Sequence, residues 1–514
     1  MKRNAIKNAK RVLFLSAMII VLAACSDSDE AGTTEEDASS EEKDSIHLRM
    51  TEDPDFLDPH MMEASLTEQM LLNVFEGLLS PEEDGSLAPA IAEDYEESDD
   101  GLTYTFDLRE DVTFHNGAPV TAEDVEYSIE RLTGEKSEDA KSENFDIVED
   151  VEAEDEHTVV ITLEKPNSAF LSYLTGKDAA IIPESNDGKH NDDPIGTGPF
   201  QLEEYNPGAE IVLEKNEEYW KEDLPYLSKA TFDIQEDDEA AFASMQAGEI
   251  DVMQIPGHRI PEIEDEFELE YQDNNSTVLI GMNEDREPFD DKKVRQAVNY
   301  AVNKDDVIDA AYSDYATRIG SNMSPAMGDA YKEGLEHVYD QDLEKAKELL
   351  EEAGYPDGFE TSITISSHTD NYSDIAQVAA ENLAEIGVDV DIDVMEWGVW
   401  LDDVYEGRDY DMTAIDFTGK LSPYDILSRY ISDEENNFMN FENEEYDAVL
   451  EDALAEDDEE KQNELYQDAQ QILSDEAAAV YIGDYQFVWA MDPSLKGFKK
   501  YPIFFLDLSE IEFE

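Results

Sequence analysis

Aspartate and glutamate outnumber lysine and arginine by 130 to 34, a formal net charge of −96. This imbalance constrains the fold more than any motif. Burying an unpaired charge costs on the order of several kcal/mol, so the carboxylates must stay in water and the apolar residues must be confined to inward faces. The sequence shows that partition. In "VDVDIDVMEW", Val388, Val390, Ile392 and Val394 alternate with Asp389, Asp391 and Asp393, the pattern of a strand with one buried face. Hydrophobic residues make up 40% of the chain and aromatics 10%, enough for a core, which excludes a disordered polyanion. Nucleic-acid binding is excluded too, because phosphate contacts need basic patches. The charge reads as a solvated surface. It repels itself in dilute buffer and is tolerated in brine, where the Debye length falls to about 3 Å at 1 M. The expectation is a halophile's extracytoplasmic protein that loses stability on desalting.

The N-terminus is the exception to the acidity. Lys2, Arg3, Lys7, Lys10 and Arg11 precede an apolar run from Val12 to Ala24, and then comes Cys25, the one cysteine in the chain. A basic segment, a short apolar segment and small residues before a cut site make a secretory signal. The run is too short for a comfortable membrane span, which needs about 20 residues. "LAAC" resembles the bacterial lipoprotein box, in which the cysteine is thioether-linked to diacylglycerol. That resemblance implies lipidation at Cys25 and anchoring to the outer face of the cell membrane; the alternative is an ordinary secretory signal with an incidental cysteine. Once acylated, Cys25 leaves no thiol for a disulfide, a thiolate metal site or a nucleophile. Residues 26–45, "SDSDEAGTTEEDASSEEKDS", are polar, acidic and free of aromatics, and are expected to form a disordered tether.

The remaining body of about 470 residues exceeds what one core supports. It shows no fixed repeat and no linker rich in Pro, Gly or Ser, so two or more lobes joined by several crossings are expected. Strand and helix patterns mix throughout. "LTYTFDL" places Leu102, Tyr104, Phe106 and Leu108 on one strand face, and "HTVVITLEKP" is a strand ended by Pro166. In "TAEDVEYSIERL", Thr121 is a helix cap with Asp124 three residues on. "DDKKVRQAVNYAVNKDDVIDAAY" carries an amphipathic helix pattern through Val294, Ala297, Val298, Ala301 and Val302. "DLEKAKELLEEAGYPDG" is a helix closed by Gly354 and Pro356, and "DIAQVAAENLAEIG" leads through Gly387 into the alternating strand. The fold class is mixed α/β.

Nothing in the sequence argues for catalysis. The eight histidines, His47, His60, His115, His157, His190, His258, His337 and His368, form no local metal pair. There is no nucleophile elbow and no phosphate-cradling loop, and "GTGP" at Gly196 to Pro199 lacks the helix opening of a dinucleotide site. With 130 acids, carboxylate pairs carry no information. No enzyme activity, cofactor or metal is expected.

Five blocks, in order, do carry information. "SDDGLTYTFDLREDVTFHNGAPVTAEDVEYSIER", "DPIGTGPFQLEEYNPGAEIVLEKNEEYW", "MQAGEIDVMQIP", "GMNEDREPFDDKKVRQAVNYAVNKDDVI" and "AKELLEEAGYPDGF" together resemble the solute-binding proteins of peptide- and nickel-type ABC importers, family 5. The resemblance covers nearly the whole body. It implies a two-lobed, periplasmic-binding-protein-like (type II) α/β fold with an extra subdomain in lobe one. Lobe one would hold residues 46–282 plus 486–514, with the subdomain near 71–190, and lobe two residues 283–485. The implied function is hinge closure around a solute, with no covalent step, by a monomer that delivers the solute to a permease and ATPase. Oligopeptides are the leading ligand. A chelated metal, with His60 and His368 facing the cleft, a glutathione-like compound, or a peptide pheromone sensed without transport are the alternatives.

The same resemblance nominates ligand contacts. Peptide-binding relatives carry a "W-x-x-D-x-x-D-P" segment whose Trp packs on ligand and whose Asp pairs with the peptide ammonium. In "DMTAIDFTGKLSPYDIL" the Trp position holds Asp416 and the Asp position Gly419, followed by Lys420, and Ser422-Pro423 replaces Asp-Pro. Phe417-Thr418-Gly419-Lys420 is closer to the "W-x-G-R-x-D-P" form of other relatives. The arginine that dipeptide binders use for a carboxylate has no counterpart in "SSHTDNYSD". Asp416 is therefore a candidate ammonium partner and Lys420 a carboxylate partner, with Phe417 between them. Trp397 and Trp400 of "MEWGVW" are candidate cleft aromatics or, alternatively, core. Met61, Met62 and Glu63 follow "DFLDPH" in what resembles the first cleft loop, where soft methionines suit a tolerant pocket. Tyr485 lies near the expected return crossing.

Overall fold

The computed structural model describes residues 43–62, 64–137, 139–175, 179–367, 369–434, 436–456 and 458–514. Cys25, the signal segment, Glu63 and His368 lie outside the described residues. Lys43–Glu514 form one compact unit.

A twelve-stranded sheet is built around one long strand, Ala479–Met491. "AVYIGDYQFVWAM" is apolar at both ends with Asp484, Tyr485 and Gln486 between. Thirteen extended residues span about 43 Å, and the two ends pack in different cores. Val480, Tyr481 and Ile482 join Ile280, Val298, Ile363 and Leu383. Val488 and Ala490 join Phe242 and Met253, while Trp489 and Met491 join Leu48, Phe232 and Val252. Strand pairing follows the same division. The first half pairs antiparallel with Thr277–Met282, and the second with Val252–Ile255 and Glu268–Asp273. The chain thus passes between the two strand groups near 484–487 and again between Asp273 and Thr277. At the meeting point Asp484 Oδ1 accepts from both the Ser276 N–H and its hydroxyl, each at 2.9 Å.

On one side of this crossing the sheet continues from Thr277–Met282 to Met412–Phe417, Glu360–Ser366 and Asp389–Met395. The last two are parallel, and the helix Asp370–Ala384 connects them, as parallel strands require. On the other side lie Ser45–Met50, Lys229–Ile234, Glu210–Lys215 and Phe200–Asn206, and the short strand Ala316–Arg318, paired antiparallel with Gly483–Tyr485 of the long strand, completes the sheet. A separate four-stranded antiparallel sheet, Ala92–Glu97, Thr103–Leu108, Thr158–Leu163 and Val148–Ala153, carries its own core with Val125, Ile129 and Phe170.

The strand at Thr103–Leu108 buries Tyr104, Phe106 and Leu108 as its alternation predicts. The Asp124 carboxylate accepts from the Thr121 N–H at 3.0 Å, closing the capping box. Two expectations need correction. The amphipathic stretch from 290 is two helices, Lys292–Ala301 and Lys304–Tyr312. Val302 is extended, and the Asn303 side chain accepts from the N–H groups of Asp305 and Asp306, starting a new helix where apolar periodicity alone continues the old one. Asp389–Met395 is the sheet's edge strand, so Val390 and Ile392 are only half-buried and Val394 is 58% exposed.

Candidate functional site

A cavity of about 800 Å³ opens beside the double crossing. Thr51, Gly257 and His258, which follow strands of one group, face Tyr312, Asn371 and Tyr485 of the other. The Tyr485 ring stacks on Tyr312, with centroids 5.4 Å apart and planes 10° from parallel. Behind them the Tyr372 hydroxyl donates to Asp416 Oδ1 at 2.5 Å. Burial, reinforced by the Asp416 charge, pushes the phenols of Tyr312, Tyr372 and Tyr485 well above their ordinary range. Asp416 is thus a carboxylate ringed by three tyrosines. A carboxylate has about four acceptor positions, and the Tyr372 hydroxyl occupies one of them at Asp416.

Asp416 and Phe417 end the strand Met412–Phe417, and the loop that follows lies against the crossing. A Cβ on Gly419 would stand 2.2 Å from the Asn274 carbonyl oxygen, so only glycine permits this approach. Asn275 Nδ2 donates to the Lys420 carbonyl at 2.7 Å, and the Lys420 side chain is exposed. Trp400 is buried, and its indole N–H donates to Thr413 Oγ1 at 3.1 Å. Trp397 stacks on it at 5.2 Å and is 36% exposed, so one indole supports and the other is presented. Phe417 packs edge-on to Phe438 and carries the Arg429 guanidinium over its ring at 3.4 Å. Met62 is buried in the core with Leu48 and Phe232, while Met61 is half-buried.

Sequence reasoning passes over three polar residues. Arg131 makes a buried ion pair with Asp58 at 2.8 Å, fixing the loop before Met61. Glu76 is a buried carboxylate that accepts from Thr197, Tyr219 and Trp220 at 2.9–3.2 Å, and burial pushes it up. Its signal is the aromatic pair at the end of "NEEYW", which needs an acceptor for its O–H and N–H once buried. Arg429 is the third. No group of three or more metal-ligating side chains occurs among the described residues.

The sequence profile of the bacterial extracellular solute-binding proteins, family 5 (Middle), matches residues 86–438. This chain belongs to that family. The solute-binding protein is 31% identical over 465 residues to the glutathione-binding protein GsiB of Pectobacterium atrosepticum, covering 87% of this chain and 90% of the relative. Its structure superposes on the ABC transporter substrate-binding protein CtaP of Listeria monocytogenes with a TM-score of 0.83 at 28% identity, covering 92% and 99% of the two chains. The Helicobacter pylori periplasmic binding protein DppA in complex with the peptide STSA gives 0.78 at 26% identity, covering 92% and 98%. The two-lobed periplasmic-binding-protein fold is therefore the fold of this solute-binding protein. The family acts outside the cytoplasm. No helix among the described residues is long and apolar enough to cross a membrane.

Proposed function

We propose that this solute-binding protein captures short peptides, or a peptide-like tripeptide of the glutathione kind, and hands them to an ABC permease and its ATPase. Lobe one comprises residues 46–276 plus 486–514, with a subdomain near 71–190, and lobe two residues 277–485; the boundary expected at 282 moves to the crossing because Thr277–Met282 pairs and packs with the second strand group. The protein works as a monomer held to the outer face of the cell membrane through Cys25. The observation that carries the ligand class is Asp416, a carboxylate ringed by phenols beside an 800 Å³ cavity between two cores. Such a group pairs with an ammonium, which free peptides and glutathione both carry. The relatives' own ligands, glutathione and the peptide STSA, support the same class. Closure needs no covalent step: the closed form is favoured only by contacts that the solute makes in it and not in the open form.

The test is to purify the protein in molar salt, denature it, and identify the released small molecules by mass spectrometry. Short peptides or glutathione would support the reading. A single non-peptide species, such as a sugar or a metal chelate, would overturn it.

A further inference from the structure

We propose that Arg429 is the carboxylate-binding residue for the captured solute, so that the ligand is read as a zwitterion by Asp416, which precedes Phe417 in its strand, and Arg429, which lies over the Phe417 ring. The proposal rests on the peptide reading above and specifies which end of the ligand each residue holds.

Arg429 stands apart from the other described arginines. Each of those donates to a protein oxygen: Arg131 to Asp58, Arg318 to Asp340, Arg109 to the Ala90 carbonyl, Arg408 to Asn440. Arg49, Arg259, Arg286 and Arg295 do the same. Among the described residues Arg429 donates to none, and its close partner is the Phe417 ring. In a chain with 130 acids and 34 bases, an arginine that pairs with no carboxylate among the described residues is not an accident of supply. Its neighbours are the phenols of Tyr405, Tyr430 and Tyr446, and burial disfavours its charged form. A partly buried cation without a counter-charge is costly unless one arrives with a ligand.

Its geometry suits that ligand. The guanidinium lies over Phe417 at 3.4 Å, which holds it in place and leaves its edge N–H groups for a planar, two-oxygen acceptor. It also ends a continuous aromatic wall. Trp397 stacks on Trp400 at 5.2 Å, Trp400 meets Phe438 at 6.1 Å, and Phe438 meets Phe417 at 6.2 Å. Phe417 follows Asp416 directly at the end of its strand, so the two side chains leave the backbone on opposite faces and Arg429 stands on the Phe417 side. Four residues before Arg429, one helical turn, Asp425 accepts from the Tyr173 hydroxyl at 2.7 Å. Tyr173 belongs to the core of the four-stranded sheet. The helical segment bearing Arg429 therefore faces a separately packed body.

The experiment compares capture of a random tetrapeptide pool with free C-termini against the same pool amidated, read by native mass spectrometry. Wild type is expected to favour the free-acid pool by at least about 30-fold, the order of one desolvated ion pair. Arg429→Met is expected to bind both pools alike while retaining the amidated pool, which also shows that it is folded, and Arg429→Lys to recover part of the preference. Equal capture of both pools by wild type, or a preference that survives in Arg429→Met, overturns the assignment but leaves the peptide reading intact. Capture of neither pool by wild type overturns the peptide reading, and the assignment with it.

Discussion

Ser276 gives both its N–H and its hydroxyl to Asp484 Oδ1, each at 2.9 Å, and so ties together the two segments by which the chain passes from one strand group to the other. Relative motion of the two groups must turn about these segments, because the remaining strand pairing lies wholly on one side or the other. A buried carboxylate tying them has a thermodynamic signature. Burial pushes the Asp484 carboxyl up to about 6, against an ordinary value near 3.8. The folded state therefore holds its proton more tightly than the unfolded state, and the stability this confers is present below about pH 4 and lost as pH rises through 6. Asp484→Asn keeps the acceptor without the charge. In urea titrations its stability relative to wild type should improve by about 2 kcal/mol between pH 4 and pH 7. A constant difference across that range would show that the carboxylate is not desolvated.

His115 titrates in the opposite sense. Its Nδ1 accepts from the Gly196 N–H at 3.3 Å and its Nε2 faces the Gly198 carbonyl at 3.1 Å, an arrangement that fits one neutral tautomer. Burial holds its pKa down at about 4 from 6.5. The unfolded state then binds the proton first, so stability is intact above about pH 6.5 and falls as pH drops to 4. His115→Gln should be less stable than wild type at pH 7.5 by about 1–2 kcal/mol, since two backbone partners are disturbed. That gap should narrow by pH 4.5. A gap that stays constant would mean that His115 is not held neutral.

Gly419 should tolerate no side chain. The Asn274 carbonyl oxygen lies 2.2 Å, and the Asn275 Cβ 2.9 Å, from where a Cβ on residue 419 would stand, so Gly419→Ala must displace the loop from the crossing segment. Affinity for the bound solute is expected to fall about tenfold or more, with the thermal midpoint lowered by only a few degrees. Unchanged affinity in equilibrium dialysis would separate this loop from the site.

The charge of −96 predicts a strong salt response. Self-repulsion among exposed carboxylates is screened as the Debye length shortens from about 10 Å at 0.1 M to about 3 Å at 1 M. The thermal midpoint should rise by several degrees over that interval in sodium chloride. A flat profile in differential scanning calorimetry would mean that the surface charge costs the folded state nothing.

How much of this is readable beforehand depends on where the information resides. The alternation around Tyr104 and Phe106 and the cap at Thr121 are local, and the structure carries them as read. Periodicity misses the break at Asn303 because a polar side chain caps a new helix there while the apolar pattern runs on. Alternation places Val394 on a buried face but does not say what covers that face, and an edge strand lacks one neighbour. Long-range polar partners are beyond reach in a chain with this many acids. Asp58 with Arg131 and Glu76 with Tyr219 are separated by 73 and 143 residues. Arg429 is the least legible, since what distinguishes it is the partner it lacks. Asp416 is marked by its place in a motif, and its setting among Tyr312, Tyr372 and Tyr485 emerges only from the packing.

The most direct test of the peptide-receptor account is titration calorimetry of the purified protein in about 1 M salt, with glutathione and with a pool of tri- to pentapeptides. The account predicts one-to-one binding, micromolar or tighter, by at least one of these. Asp416→Asn should weaken it about tenfold or more, with little change in thermal stability. Binding that is indifferent to Asp416→Asn, or heat only from solutes that carry no ammonium group, would contradict it.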